Sequence, residues 1–224
     1  MIHGLTHRAR MAIYGPLMCL VAATFAGPVV AHPHVFVDGG VDFVVENDQL
    51  AALRVTWVYD EFETLYILSS HDLSLNLNGG LGEEDRAALE QYRSDWPSDF
   101  DGSAHLKIDN QQIALQWPTG LKADVLDGRL KITFTRELQQ TVPASDLAAS
   151  VAFYESTYFF AFSITQTPEI FGSSSACSAE VIKHDPTEQD EQVQAALAKL
   201  SREETSSIAN VGALFADRIE LKCD

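Results

Sequence analysis

Apolar and polar side chains alternate along most of the stretch VFVDGGVDFVVENDQLAALRVTWVY, residues 35–59. Alternation with a period of two residues predicts β-strands with one buried face. Asp38 and Asp42 lie on the opposite face of the first strand, and Asn47-Asp48 is a typical turn sequence. The stretch therefore predicts a β-hairpin, whose apolar face is formed by Val35, Val37, Val41, Phe43, Val45, Leu53, Val55, Trp57 and Tyr59.

Strand patterns also dominate the rest of the chain, with a few helical segments between them. Residues 61–70 and 83–93 are predicted helices around a glycine-containing loop. A third helix is predicted to begin at Asp185, as N-cap, because a proline follows in the first helical position. Further strands are predicted at 105–109, at 112–117, around Asp127-Gly128, in the aromatic run after residue 153 and from residue 219 onward. The expected fold is α+β, mainly antiparallel β-sheet, sandwich-like, with peripheral helices.

The N-terminus has the pattern of a removable signal peptide. Two arginines precede an uncharged, mostly apolar stretch, residues 11–26, which is shorter than the roughly 20 apolar residues of a membrane span. Small residues up to Ala31 predict cleavage after it, and cleavage after Ala26 is the alternative. Residues 1–31 are then the signal peptide, and residues 32–224 form a single periplasmic domain that does not insert into the membrane.

Charge and cysteine content narrow the range of partners and compartments. The chain carries 15 basic and 32 acidic residues, a formal net charge of −17. A surface this negative repels nucleic acid, which is therefore not expected as a partner, and attracts cations. Cys177 and Cys223 are the cysteines left after the predicted cleavage. An oxidising compartment favours a disulfide between them, and metal binding by two thiolates is the alternative.

The sharpest chemical feature is an HPH motif, formed by His32, a proline and His34 at the predicted mature N-terminus. In an extended strand the two histidines share a face with Asp38, turned away from the main core. Two imidazoles with a nearby carboxylate suit divalent Ni, Co, Zn or Cu, and a free amine at His32 would add a third nitrogen ligand. Asp60 and Glu155 are further candidate ligands. The alternative is a pair of solvated histidines on a frayed terminus.

A second candidate site follows the calcium-loop template, which has oxygen ligands at positions 1, 3 and 5, glycine at position 6 and usually glutamate at position 12. Ser74, Asn76 and Asn78 occupy the three oxygen positions, and Asp85 occupies position 12. Gly79 occupies the glycine position and is followed by Gly80. No aspartate occupies the early positions, and the closing residue is one carbon shorter than glutamate. Calcium affinity depends on carboxylates, so calcium is not expected to bind here.

These segments together resemble a family of secreted bacterial proteins of unknown function. The resemblance covers essentially the whole mature chain and is carried most specifically by HPHVFVD, residues 32–38, and WVYDEF, residues 57–62. The calcium-type loop, the aromatic motif after residue 153 and two late cysteines belong to the same pattern. Family members are often labelled the periplasmic component of an uncharacterised ABC-type transport system, and tend to lie near nickel/cobalt-type and other metal-transport genes.

The chain departs from the family pattern in two places. The family loop usually carries aspartates where this chain has Ser74, Asn76 and Asn78. The family motif Tyr-Asp-Pro-x-Tyr-Tyr is YESTYF here, residues 154–159, so the carboxylate is kept at Glu155 but lies one carbon further from the backbone.

The residues and the resemblance together predict a non-enzymatic periplasmic accessory protein. It would capture or deliver a divalent transition metal, with an inner-membrane metal transporter as its partner. Because imidazole must be neutral to bind a metal, affinity is expected to fall as the pH drops through about 6.5. Two other interpretations are open: a solute-binding or structural module without a transition metal, and a copper enzyme with an N-terminal histidine brace.

Overall fold

The computed structural model describes residues 33–96, 100, 102–172, 177–201, 204 and 206–224. This part of the chain contains eleven β-strands in two sheets, with three α-helices around them, so the predicted α+β sandwich is confirmed. The predicted signal peptide, residues 1–31, and His32 lie outside the described residues. Within those residues, no helix has the length and apolar character needed to span a bilayer.

The strands, in chain order, are β1 (Val35–Glu46), β2 (Gln49–Tyr59), β3 (Ala104–Ile108), β4 (Gln111–Gln112), β5 (Thr119–Leu126), β6 (Arg129–Pro143), β7 (Ala148–Phe153), β8 (Phe160–Ile164), β9 (Ile170–Gly172), β10 (Cys177–Ile182) and β11 (Asp217–Cys223). The helices are α1 (Glu61–Ser70), α2 (Glu83–Arg93) and α3 (Glu188–Leu197), and a 3-10 helix covers Val211–Phe215.

The predicted hairpin, β1 and β2, lies at the centre of the first sheet, whose strand order is β5-β6-β2-β1-β8. Asn47 and Asp48 turn the chain between the two strands with positive φ, a conformation that Asn and Asp tolerate well. β1 pairs in parallel with β8 and with β9, whereas its pairing with β2 is antiparallel. All nine apolar residues predicted for the hairpin core are buried.

A glycine allows β1 to lie this close to its neighbours. A Cβ atom added at Gly39 would be only 2.0 Å from the carbonyl oxygen of Thr56 on β2. On the other side, the Gly39 carbonyl accepts a hydrogen bond of 2.9 Å from the Thr165 amide, just after β8. No side chain fits at this position, so residue 39 must be glycine for the three strands to pair as they do.

The second sheet has the order β10-β11-β7-β3-β4 and packs its apolar face against the first. Both sheets contribute to one hydrophobic cluster, with Phe43 and Phe134 from the first sheet and Leu106, Phe153 and Ile219 from the second. Each of these side chains is at most 1% exposed. Burial of such side chains stabilises a fold by about 1.5–3 kcal/mol each, so this interface is the main source of stability.

Two predictions about local structure are wrong. The predicted strand 112–117 is not one strand, because the segment passes from one sheet to the other: the Ile113 amide donates to Leu106 of β3, and the Gln116 amide donates to Glu137 of β6. The third helix begins at Glu188 rather than after Asp185. Its N-cap is Thr187, which forms a capping box with Asp190. The predicted helices at 61–70 and 83–93 are confirmed.

Asp217, the first residue of β11, links the two sheets. Its carboxylate accepts hydrogen bonds from the Ile164 amide of β8 at 2.9 Å, the His184 amide at 2.9 Å and the Lys183 ammonium at 2.8 Å. Burial alone would raise the pKa of Asp217, but these hydrogen bonds and the charge of Lys183 outweigh it and lower the pKa below its ordinary value. The folded protein therefore stabilises the charged form of this residue.

The predicted disulfide between Cys177 and Cys223 is confirmed. The two residues lie directly opposite each other on β10 and β11, and Cys223 is buried in the main core. The bridge thus joins the edge strand of the second sheet to its neighbour. Its presence is consistent with export to an oxidising compartment.

Replacement of both cysteines by alanine should lower the free energy of unfolding by about 2–4 kcal/mol, because the unfolded chain is no longer constrained by a closed loop. Urea unfolding of the oxidised wild type and the Cys177→Ala/Cys223→Ala variant measures this difference. As a control, a reductant should destabilise the wild type by a similar amount and leave the variant unchanged. A wild type that is insensitive to reductant would contradict the bridge.

Replacement of Asp217 by asparagine should lower the free energy of unfolding by about 1.5–3 kcal/mol at pH 7, the typical contribution of hydrogen bonds to a charged group. Because the folded state lowers the pKa of Asp217, the stabilisation by its charge is present above the unfolded pKa. It is lost as the pH falls through the folded pKa. Urea unfolding at pH 7, 5, 4 and 3 should therefore give a wild-type advantage that shrinks below about pH 4. An advantage that is unchanged at pH 3 would rule out this origin.

Candidate functional site

His34, the described histidine of the HPH motif, is attached to the residue that precedes β8. The His34 amide donates a hydrogen bond of 3.0 Å to the Phe159 carbonyl, and the two rings pack with their centroids 4.8 Å apart. The next residue, Val35, begins the parallel pairing with Phe160. His34 is half-buried in this arrangement. The described part of the HPH motif is therefore bonded to the sheet through its backbone.

Glu155 organises the turn between β7 and β8, next to the same phenylalanine. Its carboxylate accepts hydrogen bonds from the Thr157 amide at 2.7 Å, the Thr157 hydroxyl at 2.9 Å and the Phe159 amide at 3.0 Å. The turn passes through Tyr158 with φ of 62°, a strained conformation for a residue with a large side chain. Glu155 is thus bonded to the same residue as His34, and its oxygens stabilise a strained turn.

Asp60 connects α1 to the beginning of β1. One carboxylate oxygen accepts from the Glu63 amide at 2.8 Å and so caps the helix, and the other accepts from the Phe36 amide at 3.0 Å. The Asp60 amide donates in turn to the Phe36 carbonyl at 3.0 Å. Since Phe36 follows His34 by two residues, the structure places Asp60 next to the same end of β1.

Asp38 forms an ion pair with Arg129, with 2.8 Å between a carboxylate oxygen and Nη1. The same guanidinium also donates to the carbonyls of Tyr59 at 2.7 Å and Val58 at 3.0 Å. Asp38 therefore holds an arginine against the ends of β1 and β2.

The structure thus brings Asp60 and Glu155 to the same end of β1 as His34, and engages each carboxylate with amides of its own surroundings. Imidazole nitrogen suits a divalent transition metal, but one described imidazole is not a complete ligand set. In the described part of the chain, no group of three or more His, Cys, Asp or Glu side chains could hold a metal ion. A complete site would need ligands in addition to His34.

The calcium-type loop, which joins α1 to α2, is closed by its own hydrogen bonds. The Asn76 side-chain oxygen accepts from the amides of Asn78 at 2.9 Å and Gly80 at 3.2 Å, and the Asp85 carboxylate accepts from the Ser74 amide at 3.4 Å. Gly79 has φ of 80°, which favours glycine. Two of the side chains that the template assigns to calcium, Asn76 and Asp85, thus accept hydrogen bonds within the loop, and the expectation that calcium does not bind stays a prediction.

A cavity of about 580 Å³ lies beside Phe159, and the sequence patterns gave no indication of it. Eight of its fourteen described lining residues are aromatic. They come from β2, from the end of α2 and the segment after it, and from the region around β8, three regions far apart in sequence. The polar side chains in its wall include Arg93, Asp95 and Glu155. Both Phe159 and Glu155 therefore belong to the surroundings of His34 and to the cavity wall.

Replacement of Asp60 by alanine should lower the free energy of unfolding by about 1–2 kcal/mol, because the first turn of α1 and the Phe36 amide each lose an acceptor. Asp60→Asn keeps an acceptor oxygen and should lose less than half as much. Urea unfolding of the metal-free protein at pH 7 measures both effects. Equal stability of the alanine variant and the wild type would mean that Asp60 does not hold α1 against β1.

Comparison with known proteins places the chain in a family. An uncharacterized protein of Haemophilus influenzae is 23% identical over 199 residues, which cover 88% of this chain and 93% of that protein. A family model described as "protein of unknown function (DUF1007)" matches residues 17–223. This match extends over most of the chain, including both sheets and all the candidate site residues discussed above. The chain therefore belongs to the DUF1007 family of proteins of unknown function.

Proposed function

We propose that the protein is a periplasmic accessory protein that binds a divalent transition metal and passes it to or from an inner-membrane transporter. Metal would be bound by His32 and His34, with the N-terminal amine as a further nitrogen ligand if cleavage follows Ala31. Imidazole and amine nitrogens favour Ni, Co, Zn or Cu over Ca or Mg. The acidic surface, with a net charge of −17 for the whole chain, raises the local concentration of cations.

The observation that carries this proposal is the attachment of His34 to Phe159 by a backbone hydrogen bond and a ring contact. A ligand that is already held in place loses less conformational entropy when it binds a metal than one on a mobile terminus. Asp60 and Glu155 lie near enough in the fold to act as additional ligands after a local change. Their present hydrogen bonds would then be lost, which favours a site based on nitrogen ligands.

A protein partner is supported by an exposed apolar face near this end of β1. Phe62, Leu65 and Tyr66 lie on one side of α1 and are 87%, 62% and 63% exposed. Phe36, whose amide is bonded to the N-cap of α1, is also largely exposed. Clusters of exposed large apolar residues are typical of surfaces that contact another protein. We assign this face to the transporter, because it would bring the partner next to His34.

Removal of both histidines should abolish the metal site. Protein exported with its own signal peptide is first weighed by intact-mass spectrometry, which identifies the mature N-terminus. Titration with Ni, Co, Zn and Cu should give micromolar or tighter binding for the wild type. Binding by His32→Ala/His34→Ala should be at least about 100-fold weaker, because loss of direct ligands exceeds the 10–100-fold effect typical of outer-shell partners.

The matched control is His71→Ala, since His71 also packs against an aromatic ring, that of Tyr92 at 3.8 Å. This variant should bind metal like the wild type. Equal and weak binding by the wild type and the double variant would refute the metal function. A mature chain that begins at residue 27 would leave the imidazoles in place and remove the amine from the site.

A further inference from the structure

The aromatic cavity has the dimensions and composition of a binding site for a small organic molecule. Its volume of about 580 Å³ lies within the 300–1,000 Å³ typical of ligand pockets, and most of its wall is aromatic. Trp57 lines it and contacts the rings of Trp96, Phe100 and Phe162 at centroid distances of 5.4–6.1 Å. Trp96 and Phe100 are stacked on each other at 4.1 Å. These rings support one another and provide flat apolar surfaces for a planar ligand.

Two nitrogen donors in the cavity wall have no acceptor within the described part of the chain. Trp57 is 6% exposed, and its indole nitrogen is buried without a hydrogen-bond partner among the residues that the structure describes. The same is true of Nε of Arg93, at the end of α2. A buried donor without a partner costs about 1–3 kcal/mol. A ligand that brings an acceptor oxygen would remove this cost, provided that small side-chain movements give it access to the donors.

The described cavity wall carries one basic side chain, Arg93, and two acidic ones, Asp95 and Glu155, so a preference for an anion rests on the position of Arg93 and not on the net charge of the wall. The Arg93 guanidinium lies 5.8 Å from the centre of the Tyr59 ring, which is buried. Burial raises the pKa of Tyr59 to about 12, and this phenol therefore stays neutral and does not neutralise the arginine. Glu155 already accepts three hydrogen bonds of 3.0 Å or less from its own turn. Asp95 is exposed to solvent.

We propose that this cavity binds a planar aromatic or heteroaromatic carboxylate, with its ring against Trp57 and Trp96 and its carboxylate on Arg93. The proposal goes beyond metal binding and does not depend on it, since none of the groups that it uses is a proposed metal ligand. The test is therefore carried out on EDTA-treated protein, so that failure of one proposal leaves the other unaffected.

The chain has three tryptophans, and this allows the site to be observed directly. Trp57 and Trp96 line the cavity, whereas Trp117 does not and is partly exposed. The ¹H–¹⁵N spectrum should contain three indole signals. The signal that disappears in Trp96→Phe and the one that disappears in Trp117→Phe are assigned to those residues, so the buried Trp57 need not be replaced. Indole-3-acetate, indole and tryptamine serve as probes, because they share a ring system and differ in charge.

Indole-3-acetate should shift the Trp57 and Trp96 signals saturably, with a Kd of about 1 mM or lower, and leave Trp117 unchanged. Indole should bind more weakly and tryptamine more weakly still. Arg93→Gln should weaken indole-3-acetate binding about tenfold and change indole binding little, because a charge-assisted hydrogen bond is lost. The control is Arg86→Gln, because Arg86 lies on the same helix and pairs with Asp124.

Three results would overturn the proposal. If tryptamine binds more tightly than indole-3-acetate, the cavity selects cations. If no probe shifts the Trp57 or Trp96 signals at millimolar concentration, the cavity is a packing void. If Arg86→Gln and Arg93→Gln have equal effects, the arginine at the cavity does not contact the carboxylate.

Discussion

The parallel pairing of β1 with β8 is the constraint on which the other features of the molecule depend. Five residues of β1 pair with five of β8, from Val35 opposite Phe160 to Gly39 opposite Ile164. Parallel neighbours cannot be joined by a tight turn, and here six strands and two helices separate them in the chain. Once formed, the pairing holds His34 and Val35 against Phe159 and brings Phe160 and Phe162 into the wall of the cavity. The same pairing brings β8 to the position where Asp217 of the second sheet can bond to it.

Much of this fold follows from local patterns in the sequence. The hairpin is encoded by alternation and by a turn whose residues tolerate positive φ, and α1 and α2 have the predicted bounds. The errors arise where tertiary structure overrides the local signal. The segment after β4 has the composition of a strand, but its amides bond first to β3 and then to β6, so it leaves one sheet for the other. Near Asp185, the proline suggested an earlier helix start than the reciprocal hydrogen bonds around Thr187 establish.

The sequence predicted which carboxylates lie near His34, but not which hydrogen bonds those carboxylates accept. The sequence nominated Asp60 and Glu155, and the structure brings both to the end of β1 that carries His34. However, a carboxylate that binds a metal and one that caps a helix or a turn are both acceptors near the surface, and sequence does not distinguish them. Asp60 caps α1, Glu155 stabilises the turn before β8, and Asp38 pairs with Arg129. The cavity was not predictable, since its rings come from segments whose proximity depends on the β1–β8 pairing.

Phe159 belongs to both proposed sites, and this gives a physical route between them. Its ring packs on His34 and lines the aromatic cavity, its carbonyl accepts a hydrogen bond from the His34 amide, and its amide donates one to Glu155. A ligand that moved this ring would alter the position of His34, and a metal that pulled His34 would alter the cavity. Any such coupling must be reciprocal, because the factor by which one ligand changes the affinity for the other is the same in both directions. The β1–β8 pairing thus fixes the position of Phe159 relative to both His34 and the aromatic cavity.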